Sequence, residues 1–206
     1  MAEEINVNKI SADVISELAK NAACFVVKKL RKAYKDFVSK EDIDYGTAFE
    51  KYLLEAEQHI SMAKTILYGQ TPQYLYSFFV CMGISNRKDI IDTSNVNNIL
   101  DIGNKIIMTG TGGIGKSMLM KHIFLNTIHT TSYIPILVEL RGLNDYISEN
   151  ISIEKYIYNI LGIFGFKLEE EYFRYSLETG CYVILFDGIR PGVERAVISV
   201  VISKCI

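Results

Sequence analysis

The chain has 206 residues, of which 49% are hydrophobic and 22% are charged, and its formal net charge is -2. This composition excludes a disordered or fibrous protein and is typical of a globular chain that buries a sizeable core. The small net charge provides no general attraction to nucleic acids or anionic membranes, so we expect no direct nucleic-acid binding and no membrane partner.

The four cysteines indicate reduced thiols rather than a zinc site or a disulfide framework. Cys24, Cys81, Cys181 and Cys205 lie far apart, form no CxxC pair and have no histidine at metal-ligand spacing. The N-terminal sequence lacks the basic and apolar regions of a signal peptide. No apolar run approaches the roughly 20 residues that cross a bilayer. We therefore expect a cytoplasmic location.

Residues 1–70 are predicted to form a helical N-terminal region. A first helix after Ser11, its candidate N-cap, carries one apolar stripe at helical spacing. A second helix is predicted from the capping-box pair Ser39 and Asp42 to Gly69, a C-terminal stop signal. The stripes are Ile15, Ala19, Ala22, Val26, Leu30, Ala33 and Phe37, then Phe49, Leu53, Ala56, Ile60, Ala63 and Leu67. We expect the two helices to form an antiparallel pair.

A basic cluster lies on the first helix, mostly opposite its apolar stripe. Its members are Lys28, Lys29, Arg31, Lys32 and Lys35. Basic residues on the polar face of a helix usually only keep that face solvated, and we favour this interpretation. The alternative is a docking surface for a protein partner, because helical N-terminal segments often carry interactions rather than chemistry.

The segment 71–95 is predicted to be a boundary between the helical region and an α/β domain at 96–206. It begins with a Thr-Pro pair and continues into aromatic and β-branched residues that fit either a strand or a buried helix. Its polar part, residues 86–95, is predicted to be a loop. Ser94 is a candidate cap for a short helix that ends before Gly103.

The strongest motif is GTGGIGKS, Gly110 to Ser117, which matches the phosphate-binding pattern G-x-x-x-x-G-K-[ST]. The run NKIIMTG before it predicts a buried parallel strand, and KSMLMKHIFLNTI after it predicts an amphipathic helix. Backbone N–H groups of a glycine loop converge on phosphate oxygens, and the helix N-terminus adds positive charge. We expect Lys116 to reach the β- and γ-phosphates and the Ser117 hydroxyl to ligate Mg²⁺. The predicted nucleotide-binding residues are Gly110, Thr111, Gly112, Gly113, Ile114, Gly115, Lys116, Ser117 and Met118.

A second acidic element is predicted at Asp187. The run CYVILFDG, residues 181–188, indicates a buried strand that ends in this aspartate, after a helix that Gly180 terminates. P-loop proteins hold the Mg²⁺ side of their site with such a carboxylate. We therefore expect Asp187 to complete a metal site with Ser117.

The three histidines carry no recognisable chemistry. His59, His122 and His129 are isolated from the residues that would complete a metal or catalytic site. We expect them to be ordinary helix-surface or capping residues. No catalytic triad and no paired-carboxylate pattern appears elsewhere in the sequence.

Between the two elements, a strand is predicted in IPILVELRGLND, residues 134–145, followed by a helix that Ser152 caps. The order GTGGIGKS, IPILVELRGLND, YVILFDG resembles the NACHT branch of the STAND ATPases, regulatory switch proteins related to the AAA+ group. The resemblance covers about residues 90–190. Glu139 and Arg141 mark the family, but we assign them no role.

The resemblance implies an α/β fold in which the helical segment precedes an incomplete three-layer α/β/α P-loop NTPase core with a mostly parallel sheet. It implies an ADP/ATP-dependent switch in which Gly110 to Ser117 bind the phosphates and Asp187 completes the Mg²⁺ site. Family members are held inactive until a sensor detects a ligand and the NTPase cores oligomerise. Many bacterial members are implicated in antiphage defence.

The sequence departs from the family directly after Asp187. Members usually continue with Gly, a hydrophobic residue and Asp-Glu, acids that help polarise the attacking water. Here Arg190 and Pro191 stand in those places, and Glu194 is not assigned the missing role. We therefore assign no catalytic residue, and nucleotide binding is better supported than hydrolysis.

The resemblance also requires further strands that residues 188–206 are too few to supply, since each crossover needs a dozen or more residues. We therefore expect a product truncated after the strand of Asp187, with residues 189–206 as a candidate frameshifted tail. The run AVISVVIS in this tail fits either a continuing helix or a strand inserted into the sheet. Its Val and Ile content favours the strand.

Three functions follow as hypotheses. The leading one is the ATP-binding module of a NACHT-type switch, with protein partners through the N-terminal helices or as a homo-oligomer of the full-length parent. The second is a non-catalytic helical interaction protein with a vestigial nucleotide core. The third, a small P-loop kinase, is disfavoured because its loop would lie near the start of the chain.

Overall fold

The computed structural model describes residues 10–33, 44–65, 69, 71–86, 89–142, 152–189 and 196–203. The helices in this part of the chain are α1 (Ala12–Ala33), α2 (Tyr45–Ile60), α3 (Val96–Leu100), α4 (Lys116–Thr130), α5 (Ile153–Ile163) and α6 (Glu170–Glu178). Its strands are β1 (Met62–Ala63), β2 (Gln73–Tyr74), β3 (Gly83–Asn86), β4 (Asp89–Asp92), β5 (Lys105–Gly110), β6 (Ile134–Glu139), β7 (Tyr182–Ile189) and β8 (Ala196–Ser203). The protein is therefore a mixed α/β protein, as predicted.

The main sheet has four strands in the order β5-β8-β7-β6. β6 and β7 pair in parallel, whereas β8 is antiparallel to both of its neighbours, β5 and β7. The prediction of a mostly parallel sheet is therefore wrong for the pairings, although β5, β6 and β7 share one direction. The cause is the short connection from Ile189 to Ala196, because a parallel return needs a longer crossover. The predicted strand in AVISVVIS is confirmed.

The predicted N-terminal helices α1 and α2 are confirmed, and they pack against each other and against α4. All stripe residues whose side chains the structure describes are buried in one core with the main sheet. Asp44 caps α2 by accepting a hydrogen bond from the Thr47 N–H at 2.9 Å. The predicted stripe and cap residues Phe37, Ser39, Asp42 and Leu67 lie outside the described residues. No helix in the described ranges combines the length and apolar character needed to span a bilayer.

The basic cluster on α1 is exposed, as predicted for a solvated face. Lys28, Arg31 and Lys32 are exposed, and Lys35 lies outside the described residues. Lys29 differs, because its ammonium donates to the Thr179 carbonyl at 2.9 Å. One member of the cluster therefore also holds α1 against the turn that follows α6.

The end of α2 is not where the sequence predicts it. The helix ends at Ile60, so the prediction of one helix reaching Gly69 is wrong. The chain instead enters β1, which pairs with β2, and the Leu75 N–H donates to the Ser61 carbonyl at 2.7 Å. Ala63 is buried in this strand, so an apolar residue at helical spacing is buried although the helix has already ended.

The polar segment 86–95 is also not the loop that its composition predicts. β3 and β4 form an antiparallel hairpin in which Ile84 pairs with Ile91. The short helix α3 follows, but its N-cap is Asn95 rather than Ser94. The Asn95 side chain accepts from the Asn97 N–H at 2.9 Å, which satisfies a free donor of the first turn.

The two ends of the main sheet differ in how they are covered. At the β6 end, Pro135 has no N–H to offer, and the Tyr52 hydroxyl donates to the Pro135 carbonyl at 2.8 Å. Helix α2 thus contacts this edge through Tyr52. At the other end, Met108 of β5 is 8% exposed whereas Ile107 is 69% exposed. The prediction of a buried parallel strand is therefore wrong for β5, which is a half-buried edge strand within the described sheet and pairs antiparallel with β8.

Replacing Tyr52 with phenylalanine is expected to lower the free energy of unfolding by about 1–2 kcal/mol, because the buried Pro135 carbonyl loses its donor. Burial raises the pKa of Tyr52, so its hydroxyl stays a protonated donor throughout the measurable range. Urea denaturation followed by circular dichroism measures the difference. Tyr175→Phe is the control, because its hydroxyl bonds to the exposed Glu171 carboxylate, which water can solvate instead. Equal losses in the two variants would contradict the role of Tyr52.

Candidate functional site

The loop of residues 110–117 joins the carboxyl end of β5 to the start of α4. The predicted order of strand, loop and helix is thus present. Gly113 and Gly115 have φ values of 78° and 94°, a region that glycine enters without steric cost. A Cβ added to Gly115 would lie 3.3 Å from Cε of Met82, so the loop also packs against the segment before β3.

Lys116 provides the positive charge of the loop. Its Nζ donates to the carbonyls of Gly110 at 2.9 Å and Thr111 at 2.6 Å. The ammonium therefore lies across the loop and is held by two carbonyl dipoles. A charge held in this way is already positioned for an anion, because the side chain does not have to be ordered on binding.

The predicted loop residues form an open surface above a firmly packed helix. Residues 111–114 are exposed, and so is Ser117. The first helical hydrogen bond of α4 runs from the Leu119 N–H to the Gly115 carbonyl at 2.9 Å. The N–H groups before Leu119 have no carbonyl partner within the helix. The first turn of this 15-residue helix therefore presents donors and partial positive charge to the loop.

Asp187 lies towards the carboxyl end of β7, beside Glu139 of β6 in the parallel register. Its side chain is half-buried, and its backbone carbonyl accepts from the Leu140 N–H at 2.8 Å. The strand does not end at Asp187 as predicted but continues to Ile189. Because β5 and β7 run in the same direction, Asp187 and the start of α4, which follows β5, lie at the same edge of the sheet.

Lys121 is a further charged residue in this region that the sequence analysis did not single out. Its Nζ donates to the Met62 carbonyl at 2.7 Å. Partial burial lowers the pKa of Lys121, and the negative charges of Glu139 and Asp187 oppose this shift. The helical spacing from Ser117 was a signal for its position, but its neighbours come from packing of distant segments.

The donors at this edge suit Mg²⁺, which prefers oxygen ligands and retains several waters. The Ser117 hydroxyl and the Asp187 carboxylate are oxygen ligands of this type. In the part of the chain that the structure describes, no three His, Cys, Asp or Glu side chains are grouped to hold a metal, and Cys24, Cys81 and Cys181 form no disulfide. The residues thus fit a cation that takes most of its ligands from phosphate and water.

A groove of about 480 Å³ adjoins the loop. One wall is β3 with the residue before it, the other is β5, and Lys116 lies where the groove meets the loop. Its lining is mainly apolar, and Ile107 and Ile114 in it are 69% and 53% exposed. Ser85 and Asn86 add a few polar groups. Mostly apolar walls with few polar groups are typical of sites for small organic molecules.

His122 is buried, so the prediction of a surface or capping residue is wrong for it. It is 1% exposed, and its ring stacks on Phe79 with centroids 4.8 Å apart. Nε2 lies 2.8 Å from the Thr93 carbonyl and must donate to it, so Nδ1 accepts from the Tyr76 hydroxyl at 3.1 Å. Cys81 lies 3.9 Å from Nε2, but burial raises the pKa of its thiol, which disfavours a reactive thiolate. The cluster fastens the β3–β4 region to α4.

The stability of the protein is expected to fall as the pH drops below the ordinary histidine value of 6.5, because burial lowers the pKa of His122. The unfolded state then binds a proton that the folded state does not, so the free energy of unfolding decreases towards the lowered native pKa. Urea denaturation at pH 7.5 and pH 5.5 measures this. His122→Gln should show a smaller pH effect, whereas His129, whose pKa desolvation also lowers, is common to both proteins. Identical pH effects in the two would contradict the assignment to His122.

Comparison with known proteins gave no independent assignment of this site. No protein-family model matches the chain, and no curated protein and no solved structure matches it either. The properties of the loop therefore have to be inferred from its own residues and their geometry.

Proposed function

We propose that this chain binds ATP with Mg²⁺ and is the nucleotide-binding module of a NACHT-type signalling switch. The triphosphate would occupy the loop Gly110 to Ser117, and the metal would lie between Ser117 and Asp187. The observation that carries the proposal is the Lys116 ammonium, which two loop carbonyls hold at 2.9 and 2.6 Å beside the start of α4. A fixed cation, free helical N–H groups and an open glycine loop together favour a polyphosphate.

The groove beside β5 favours a nucleotide over a simple phosphate ion. Lys116 also lines this groove, and its mainly apolar walls would suit a base. Met82 contributes to both features, because it lines the groove and packs against Gly115 of the loop. The choice of adenine as the base comes from the family resemblance.

Mg²⁺ bound at this edge would neutralise charge on the β- and γ-phosphate oxygens. Ser117 would supply a hydroxyl oxygen, and Asp187 would hold the cation directly or through its waters. Gly188 and Ile189 follow Asp187 in β7, so the strand offers no acid in the next two places. We therefore propose nucleotide binding and assign no residue to hydrolysis.

Titration with ATP, with Mg²⁺ or with EDTA, tests this function by isothermal calorimetry. We expect saturable binding that Mg²⁺ strengthens. Asp187→Asn should reduce the gain in ATP affinity that Mg²⁺ provides by about 10-fold or more, as expected for the loss of one charged ligand. Its affinity in EDTA should equal that of the natural chain. A folded protein that gives no saturable heat would refute the proposal and favour the helical interaction protein instead.

A further inference from the structure

The groove beside the glycine loop runs along strand edges rather than above the face of a sheet. Every residue of β5 lines it, and so does every residue of β3. Successive side chains of a strand point to opposite faces, so a cavity above one face is lined by alternate residues. A cavity that all residues of a strand line therefore follows the backbone edge of that strand. The two walls of this groove are the edges of β3 and β5.

Both edges lack a strand partner on the side of the groove. In the described sheets, β5 pairs only with β8, and β3 pairs only with β4. Between described residues, neither strand makes a backbone hydrogen bond beyond these pairings. In an antiparallel pair, every second residue directs its N–H and C=O away from the partner strand. The groove thus offers two rows of backbone donors and acceptors, and the row on β5 is about 20 Å long.

We propose that this groove binds an extended peptide, which pairs with the edge of β5 and lies against the edge of β3. The inference goes beyond the proposed function and does not depend on it. A strand edge with apolar side chains is a template for another strand. A peptide added to such an edge gains affinity from main-chain hydrogen bonds and specificity from its alternate side chains.

The charges and apolar surfaces of the groove define the peptide that fits. Lys105 and Lys116 line it, and none of the described lining residues is acidic. Lys105 begins β5 and Lys116 follows the loop after β5, so the two cations lie towards opposite ends of the strand. Ile107, which is 69% exposed, lies between them on β5. The complementary ligand is a peptide with apolar side chains at alternate positions and a carboxylate near each end.

A second copy of this chain is the main alternative occupant, because two β5 edges could pair with each other. The β3 wall disfavours it, since β5 of a second copy would bring β8 and the rest of its sheet against β3. This wall is fastened in place. Met82, directly before β3, lies close to Gly115 of the loop and accepts a hydrogen bond from the Thr93 hydroxyl at 2.5 Å. His122 of α4 also bonds to the Thr93 carbonyl. The groove therefore suits a single extended strand.

The test uses a synthetic peptide of the sequence Glu-Val-Thr-Val-Thr-Val-Glu with blocked ends, titrated into the full chain by calorimetry. We expect saturable binding and slower amide hydrogen exchange in β3 and β5. The same peptide with alternate amides N-methylated should bind at least about 10-fold more weakly, because it loses several main-chain hydrogen bonds. A peptide with lysine in place of both glutamates should bind about 5-fold more weakly or worse.

Ile107→Lys is the variant that tests the β5 edge. A lysine at this position should weaken binding of the first peptide by at least about 5-fold, because it replaces an apolar cross-strand contact. Ile163→Lys is the matched control, since Ile163 is 75% exposed at the end of α5 and does not line the groove. The control should bind the peptide as the natural chain does. Both side chains are exposed, so we expect both variants to fold.

Four results would overturn the inference. They are no saturable binding to the folded chain, equal binding of the N-methylated peptide, protection from exchange outside β3 and β5, and equal affinities of the two lysine variants. Sedimentation that shows a dimer dissociated by Ile107→Lys would assign the edge to a second copy and would also overturn it. A parallel Mg·ATP titration separates the proposals. Peptide binding without ATP binding leaves this inference standing and refutes the nucleotide function, and the opposite result does the reverse.

Discussion

Replacing Lys116 with methionine is expected to weaken Mg·ATP binding by about 10- to 100-fold, because hydrogen bonds from a charged group contribute about 1.5–3 kcal/mol. Methionine keeps the length and apolar stem of lysine, so it removes mainly the charge and the donors. The carbonyls of Gly110 and Thr111 lose their bonds to Nζ, but Thr111 is exposed and water can replace the ammonium there. We therefore expect little change in stability. Calorimetric titration measures the affinity.

Lys20→Met is the matched control for this variant. Lys20 is exposed on α1, so its replacement removes the same charge from the chain without touching the loop. The control should bind Mg·ATP as the natural chain does. If Lys116→Met bound as tightly as Lys20→Met, the loop lysine would not contact the phosphates.

Replacing Gly115 with alanine is expected to lower the free energy of unfolding by about 1–3 kcal/mol, the cost of a non-glycine residue in a sparsely populated backbone region. Gly115 has φ 94° at the start of α4, and an added Cβ would lie 3.3 Å from Cε of Met82. Relief of this strain requires the loop to change its path. Mg·ATP affinity should therefore fall by at least about tenfold, since the backbone donors no longer converge. Urea denaturation and calorimetry measure the two effects.

Gly112→Ala is the control for the backbone argument. A Cβ at Gly112 meets no atom within 4 Å, and its φ is not in the left-handed region. We expect its stability to equal that of the natural chain. A Gly115→Ala variant as stable as Gly112→Ala would show that the loop does not need the conformation described for it.

Much of the fold follows from local signals in the sequence. Ser152 is predicted to cap a helix, and its hydroxyl accepts from the Lys155 N–H at 3.2 Å at the start of α5. Gly180 is predicted to end a helix, and it has φ 71° after α6. Such signals depend on a few neighbouring residues and their own backbone preferences, so they can be interpreted without the rest of the chain.

The features that the sequence did not predict depend on contacts between distant segments. α2 stops at Ile60 because its continuation pairs with β2. β3 and β4 pair with each other although much of their sequence is polar. In the sequence, His122 is only one polar residue of a predicted amphipathic helix. Its buried environment comes from Tyr76 and Thr93, which lie in distant segments. Local propensity and hydrophobic period carry no information about such distant contacts.

The candidate site divides in the same way. The glycines, Lys116 and Ser117 form a contiguous motif, and the residues around it were predicted to form the strand and helix that the structure has. The prediction of Asp187 as a metal-side residue required only the recognition of a second buried strand. The contact of Lys121 with Met62 and the groove beside β3 arise from tertiary packing, so local sequence signals do not reveal them. The direction of β8 depended on the length of one connection rather than on its Val and Ile residues.

The central claim is that the loop between β5 and α4 binds a nucleoside triphosphate, and a nuclear magnetic resonance titration tests it most directly. The chain contains 14 glycines, so labelling glycine alone with ¹⁵N gives a simple amide spectrum. Addition of Mg·ATP should shift the signals of Gly110, Gly112, Gly113 and Gly115 and leave that of Gly180, at the opposite end of β7, unchanged. If the four loop signals stayed in place at saturating Mg·ATP while the spectrum remained that of a folded protein, the claim would be wrong.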